Sequence, residues 1–367
     1  MKDINFGWQK GLVFWQADIG KDRYILDFLR GFAAILVYLS HADQDKIINN
    51  SLLVAMKGPL GCHLFFVISG YLIWRSVSRN FGKKPQMEIG KYVINRATRI
   101  LPLYWINILF CLTLLPLLKS TYAPSAGIVE IARHLTFTQS FDPSVARAIN
   151  PVLWTLGHEG VFYVIAPLLY ITVRKHTAIL LLASWLLSAY ASSHSIPVVQ
   201  QFLMIFNLFA SGIFMAEKKV ILAPWISVLL MLVGLLLLNY APSQYFFNSV
   251  SLISVGFFTL PHTLLNFLPR IRNFLDKSNF LGITWVGMIS YSLYIWHYLL
   301  INIFSGYQLP QLWRSYQNND LLCAVLFTSV VMIISYMSYL LIEKPSMTTL
   351  KEQLLNRISK QNAMRSP

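Results

Sequence analysis

YILDFLRGFAAILVYLSHA, residues 24–42, decides how the rest of the chain is read. The stretch is apolar and about the length a helix needs to cross a hydrocarbon core of roughly 30 Å. It carries an arginine near its start and a histidine at its end. At about 100° and 1.5 Å per residue, the step from Arg30 to His41 returns to nearly the same helical face roughly 16 Å further along. One helix side therefore holds a guanidinium low and an imidazole high. Ionisable groups are costly inside a bilayer, so their presence points to a functional site. The blander reading has Arg30 snorkelling to one interface and His41 capping the other.

Composition agrees about the solvent. The chain is 56% hydrophobic, 14% aromatic and only 12% charged, where soluble domains carry roughly 25% charge. The expected fold is all-α, a polytopic membrane helix bundle of about ten transmembrane helices. The spans are placed at 24–41, 58–74, 100–118, 152–173, 177–195, 200–216, 221–240, 246–268, 280–304 and 321–342. A barrel would show short alternating strands instead. With this layout every lysine and arginine except Lys46, Lys57, Lys119, Arg133, Arg147 and Arg314 lies on the side of the N-terminus. That asymmetry puts both termini in the cytoplasm. The net charge of +15 is thus a topology signal, and no nucleic-acid partner is expected.

Residues 1–23 read as a cytoplasmic, interfacial segment without the continuous apolar core of a cleavable signal peptide. Residues 24–342 form the transmembrane domain, and 343–367 a basic cytoplasmic tail. Cys62, Cys111 and Cys323 show no pairing or ligand spacing, so no metal is expected. There is no internal repeat, low-complexity segment or second soluble domain.

Several further stretches carry chemistry. GPLGCHLFFVISGYLIW (58–74) places Ser69 and Gly70 in mid-membrane, where small residues let helix backbones approach. His63 near its outer end is either a packed imidazole or a substrate contact. The next inner loop gathers Arg75, Arg79, Lys83, Lys84, Lys91, Arg96 and Arg99 against Glu88. Such a run marks the inner face or attracts anionic lipid. Arg96 and Arg99, three apart on one helical face, also suit a phosphate ligand. The outer segment from Lys119 to Pro151, with Arg133, His134, Asp142, Arg147 and Asn150, is either an acceptor pocket or an ordinary loop. In PVLWTLGHEGVFYV (151–164), Glu159 lies within the apolar region and needs a partner from another helix, which makes it a stronger candidate than His158. MISYSLYIWHYLL (288–300) carries mid-span hydroxyls, among them Tyr291, that an aromatic belt explains poorly. The outer loop from Ser305 to Asp320 offers Trp313, Arg314, Tyr316, Asn318 and Asn319, and His262 beside Pro261 reads as a kink residue.

These segments, taken in order, resemble the membrane-bound acyltransferase family 3, which includes bacterial O-antigen and exopolysaccharide O-acetyltransferases. The resemblance rests on LDFLRGFAAILVYLSHA (26–42), GCHLFFVISGYLI (61–73), RATRILPLYW (96–105), WTLGHEGVFYV (154–164), SYSLYIWH (290–297) and IEKP (342–345). It implies transfer of an acyl group, usually acetyl from cytoplasmic acetyl-CoA, to a sugar hydroxyl of a cell-surface glycan or lipid-linked saccharide. By position, it implies His41 as the catalytic histidine, Arg30 as its partner, and Arg96 with Arg99 in handling the donor. Trp154, Glu159, Tyr291 and Glu343 fall on motif positions. Thr155 stands where the family often has serine. Some relatives append a hydrolase-like domain that passes the acyl group on; with the chain ending soon after its tenth span, direct transfer to the acceptor is expected.

The expected site therefore has His41, Arg30 and Glu159 as catalytic residues. Arg30, Arg96, Arg99, Ser69 and Tyr71 lie along the donor, and Trp154, His63, Tyr291 and Asn150 contact the acceptor. His41 acts as general base, or as a transient acyl carrier, and Glu159 orients it. Acetyl-CoA is a co-substrate and membrane lipids are the surroundings, with a homo-oligomer compatible; the location is the bacterial inner membrane. The competing class is a secondary transporter or glycan exporter, whose proton relays use the same residue types. The missing inverted repeat argues against it. A noncatalytic scaffold would tolerate loss of His41.

Overall fold

The computed structural model of the chain describes residues 14–16, 23–44, 59–81, 85–196, 198–242, 245–267, 282–309 and 320–365. Among the described residues, five helical stretches are long and apolar enough to cross a membrane: Tyr24–Gln44, Leu60–Arg79, Ile89–Leu117, Pro151–Ser193 and Leu322–Ser359. The protein is a helical membrane protein, and its polarity is inverted accordingly. Leu117, Val164, Leu168, Ile179, Ile333 and Leu341 are exposed, whereas His63, Asn107, Asn150, Asn207, His297 and Glu343 are buried. In hydrocarbon an apolar exterior costs nothing, and polar side chains must find their partners inside.

The chain divides into two compact units. The first comprises Met1–Ile35, Pro59–Arg75 and Leu168–Met288. It holds the start of α1 (Arg23–Gln44) and most of α2 (Pro59–Phe81), a helix that opens on proline, where a missing N–H is harmless. It also holds α6 (Thr177–Ser193), α7 (Gln200–Lys218), α8 (Pro224–Tyr240), α9 (Phe246–Phe267) and α10 (Ile283–Met288). Helices α2 and α7 meet backbone to backbone. A Cβ on Gly70 would strike the Phe209 carbonyl, and one on Gly212 would strike the Val67 carbonyl and the Tyr71 amide. Serines tie the other helices: Ser188 Oγ donates to Asn248 at 3.0 Å, Ser251 Oγ to Asn207 at 3.3 Å, and Ser227 shares a 2.7 Å bond with Thr259. Spans that read in sequence as plain packing are thus fastened by interhelical hydrogen bonds. Among the described residues the departure from an all-helical chain is a short antiparallel pair, β1 (Phe14–Gln16) with β2 (Val220–Leu222). Strand β1 lies within the segment expected to be cytoplasmic and interfacial, and its backbone pairs with β2.

The second unit comprises Leu36–Gly58, Ser76–Pro167 and Ile289–Pro367. It contains the end of α1, helix α3 (Pro85–Thr113), the short helix α4 (Ile128–Leu135), most of α5 (Trp154–Val173), α11 (Ser290–Gly306) and α12 (Asp320–Ser338). Beyond α12 the chain stays helical through two π-type turns, Tyr339–Glu343 and Ser346–Leu350, into α13 (Lys351–Arg365). Helix α13 packs on α3, where a Cβ on Gly90 would come 3.2 Å from Ile358.

The segment between α3 and α5, expected to face outward, is held by its own polar bonds. Thr121 pairs with Asn302 at 2.7 Å, Tyr122 donates to the Arg147 carbonyl at 2.6 Å, and Arg133 pairs with Asp142 at 2.5 Å. Hydrogen bonds from Ser144 and Arg133 hold the Asp142 carboxyl below the usual range, while burial pushes the His134 imidazole down. The outer loop residues 310–319 and the basic residues Lys83, Lys84, Arg270, Arg272 and Lys277 lie outside the described residues.

Candidate active site

In the second unit, the end of α1 meets α11 through two imidazoles. His41 Nδ1 lies 3.1 Å from the Val37 carbonyl, one helical turn back, and 3.0 Å from His297 Nε2. His297 Nδ1 lies 3.0 Å from the carbonyl of Leu293. A carbonyl only accepts, so the neutral His297 carries its proton on Nδ1 and presents a lone pair at Nε2. That lone pair takes the Nδ1 proton of His41. The basic nitrogen of His41 is then Nε2, a tautomer assigned by this chain of bonds.

The surroundings of the pair are aromatic. Tyr298 stands edge-on to His41 at 5.3 Å, and Tyr122 from the outer segment stands edge-on to Tyr298 at 6.0 Å. Tyr38, whose hydroxyl is bonded to Thr328 at 2.7 Å, meets the His297 ring edge-on at 6.5 Å. Sequence reasoning gave His297 no role; its signal was a lone imidazole in an apolar helix, which looks like packing until the opposing ring is known.

Arg96 and Arg99 line a polar cavity of about 260 Å³ in the same unit. Ser76 and Arg79 from α2, Asn95 and Thr98 from α3, and Met347 and Lys351 from the C-terminal helix complete its wall. Glu159 keeps company with this region. Its Oε1 accepts from the Tyr163 hydroxyl at 2.7 Å, and Arg96 lies over the Tyr163 ring at 5.8 Å. Tyr92 and Tyr163 both feel the charges of Glu159 and Arg96. The side chain that bonds His41 is thus His297, while Glu159 is bonded to Tyr163.

Other expected site residues make bonds within the second unit. Asn150 is fully buried, donates to Asn107 Oδ1 at 3.0 Å and to the Ile295 carbonyl at 3.3 Å, and accepts from the Val152 amide. Tyr291 donates to the Ile100 carbonyl at 2.8 Å. The Trp154 carbonyl accepts from Ser140, and its ring stands edge-on to His158 at 5.8 Å. Thr155 bonds the Tyr294 hydroxyl at 2.7 Å, and Ser292 donates to Glu343 at 2.9 Å, tying α11 to the first π-type turn.

The first unit holds the remaining candidates. Arg30 lies 3.6 Å from Asp27, one turn back on α1. His63 is buried with Phe66 and Phe247 about its ring, and Tyr71 accepts from Arg75 at 2.8 Å. Ser69 precedes Gly70 at the α2–α7 crossing.

A family profile described as an acyltransferase domain matches residues 23–340. The chain belongs to acyltransferase family 3. Peptidoglycan O-acetyltransferase OatA of Listeria monocytogenes is 24% identical over 371 residues, covering 87% of this chain and 55% of the relative. Acyltransferase MdmB of Streptomyces mycarofaciens is 26% identical over 157 residues, 40% of this chain and 39% of the relative. O-acetyltransferase OatA of Staphylococcus aureus is 29% identical over 164 residues, 42% of this chain and 26% of the relative. The chain thus spans about half or less of the length of these curated relatives. No solved structure matches it. The acyltransferase-family match includes His41, His297, Arg96 and Arg99 and ends before Met347 and Lys351.

Proposed function

We propose that this acyltransferase-family chain is an O-acetyltransferase of the bacterial inner membrane. It carries an acetyl group from cytoplasmic acetyl-CoA to a hydroxyl of a cell-surface glycan. In this reading ten helices span the membrane with both termini cytoplasmic. The observation that carries the reading is the His41–His297 bond, which leaves Nε2 of His41 as a base at the far end of α1.

The chemistry balances at that nitrogen. His41 Nε2 takes the proton of the sugar hydroxyl as its oxygen attacks the thioester carbonyl carbon, and the resulting tetrahedral oxyanion collapses with cleavage of the C–S bond. The departing thiolate of coenzyme A recovers the proton from His41. Arg147, in the same unit as His41, has the charge to stabilise the developing oxyanion. The cavity holding Arg96 and Arg99 suits the phosphates of the donor. Arg30 shares the face of α1 with His41, about 16 Å away, a length comparable to the arm that carries the thioester. The acceptor is a surface polysaccharide such as O-antigen or exopolysaccharide; peptidoglycan is the glycan named for the Listeria relative.

The purified protein, given acetyl-labelled acetyl-CoA and glycan from the producing cell, should transfer label to the glycan. His41→Ala should abolish transfer while leaving the protein folded. A transporter would leave the thioester intact, and undiminished transfer by His41→Ala would refute the catalytic assignment.

A further inference from the structure

We infer that the C-terminal helical segment, beyond the family-matched region, supplies the fourth cation of a nucleotide-phosphate site. Lys351 acts there with Arg79, Arg96 and Arg99. This rests on the proposed donor, because the ligand is taken to be the phosphorylated end of a coenzyme A thioester.

Three elements build the cavity, and only part of it belongs to the paired arginines visible in sequence. Of its described lining side chains four are cationic and none is acidic. Like charges gathered in about 260 Å³ repel one another unless an anion joins them. Two polar atoms on lining residues, Asn95 Oδ1 and Arg96 Nε, are buried and have no hydrogen-bond partner. Buried polar atoms in that condition are costly, and a polar ligand in the cavity could satisfy them.

The C-terminal wall is built for the purpose. Met347 and Lys351 are four residues apart, so they share one helix face. Two π-type turns precede Lys351, both in contact with α3, and such turns concentrate at functional sites.

Charge selects the ligand. A lipid phosphodiester brings one negative charge, whereas a phosphate monoester brings about −1.5 to −2. A nucleotide bearing a diphosphate and a separate 3′-monoester approaches −4, which matches four cations. Membrane lipid offers the same phosphate chemistry at a quarter of that charge.

The test measures binding of coenzyme A and of 3′-dephospho-coenzyme A to the full-length protein in nanodiscs of phosphatidylcholine, with and without phosphatidylglycerol. Lys351→Gln and Arg79→Gln should each weaken coenzyme A about tenfold, raising the KM for acetyl-CoA with kcat unchanged. Lys351→Arg should restore affinity, which excludes a folding defect. Dephosphorylation at the 3′ position should weaken wild-type binding by a similar factor. Wild-type affinity in both glutamine variants, or displacement of coenzyme A by phosphatidylglycerol at equal concentration, would overturn the inference. Acetyl transfer with an unchanged KM in the variants defeats this site and spares the proposed function. Cation-dependent coenzyme A binding without any acetyl transfer does the reverse.

Discussion

His41 has two acceptors for its Nδ1 proton, and they do different work. The Val37 carbonyl belongs to the same helix and turns with the ring's own backbone, whereas His297 Nε2 comes from α11 and fixes the ring from outside. When Nε2 of His41 takes a proton, the bond at Nδ1 becomes charge-assisted and strengthens. Replacing His297 by phenylalanine should therefore lower kcat by roughly tenfold to a hundredfold with little change in the KM for acetyl-CoA. Glutamine, whose carbonyl oxygen accepts the same proton, should recover most of the rate. Equal losses in both variants would mean that His297 merely packs. Arg30 and His41 stood out in sequence as candidates because an ionisable group in an apolar helix carries its own signal. His297 carried the same signal, but its meaning depends on a ring 256 positions away, and no local pattern encodes that distance. Glu159 shows the converse: its need for a partner was readable, while the partner, Tyr163 one turn along, was not.

At the scale of elements, the glycines of α2 and α7 explain why these two helices lie so close. A side chain on Gly70 or Gly212 would meet backbone atoms, which cannot rotate away. Gly70→Ala and Gly212→Ala should each destabilise the protein by about 1–3 kcal/mol, the usual cost of overpacking. That loss is readable as a lowered unfolding midpoint in detergent. Alanine at Gly282, which has nothing near its Cβ position, meets no neighbour but does meet a positive φ of 23°, so any loss there reports strain instead.

The outer segment makes a different kind of prediction. The Asp142 carboxyl is held below its usual range by Ser144 and Arg133, so its contribution is present above the unfolded pKa of about 3.9 and fades as pH falls through the lower folded value. Protection of this segment from protease should accordingly persist through pH 5 and disappear only in stronger acid. Asp142→Asn should remove that pH dependence. Sequence left this stretch between pocket and loop because its order comes from side-chain bonds such as Thr121 to Asn302, which have no periodicity to read.

For the molecule as a whole, composition settled the solvent, and the buried histidines and asparagines with exposed leucines bear that out. The number of crossings is a harder quantity. Among the described residues five stretches satisfy length and apolarity, and one of them, Pro151–Ser193, covers one of the ten expected spans and nearly all of the next, joined through the Arg174–His176 turn. Charge is the property that orients them, since lysine and arginine resist translocation. Lys119 and Lys344 are both exposed and both belong to the second unit, yet the ten-span layout sets them on opposite sides of the membrane. All three native cysteines are buried, so a cysteine introduced at either lysine would be the reactive one. A membrane-impermeant maleimide applied to intact spheroplasts should label Lys119→Cys at once and Lys344→Cys only after permeabilisation. Labelling of both from outside would place α13 and the cation cavity away from cytoplasmic coenzyme A, and the donor would then have no route to its site.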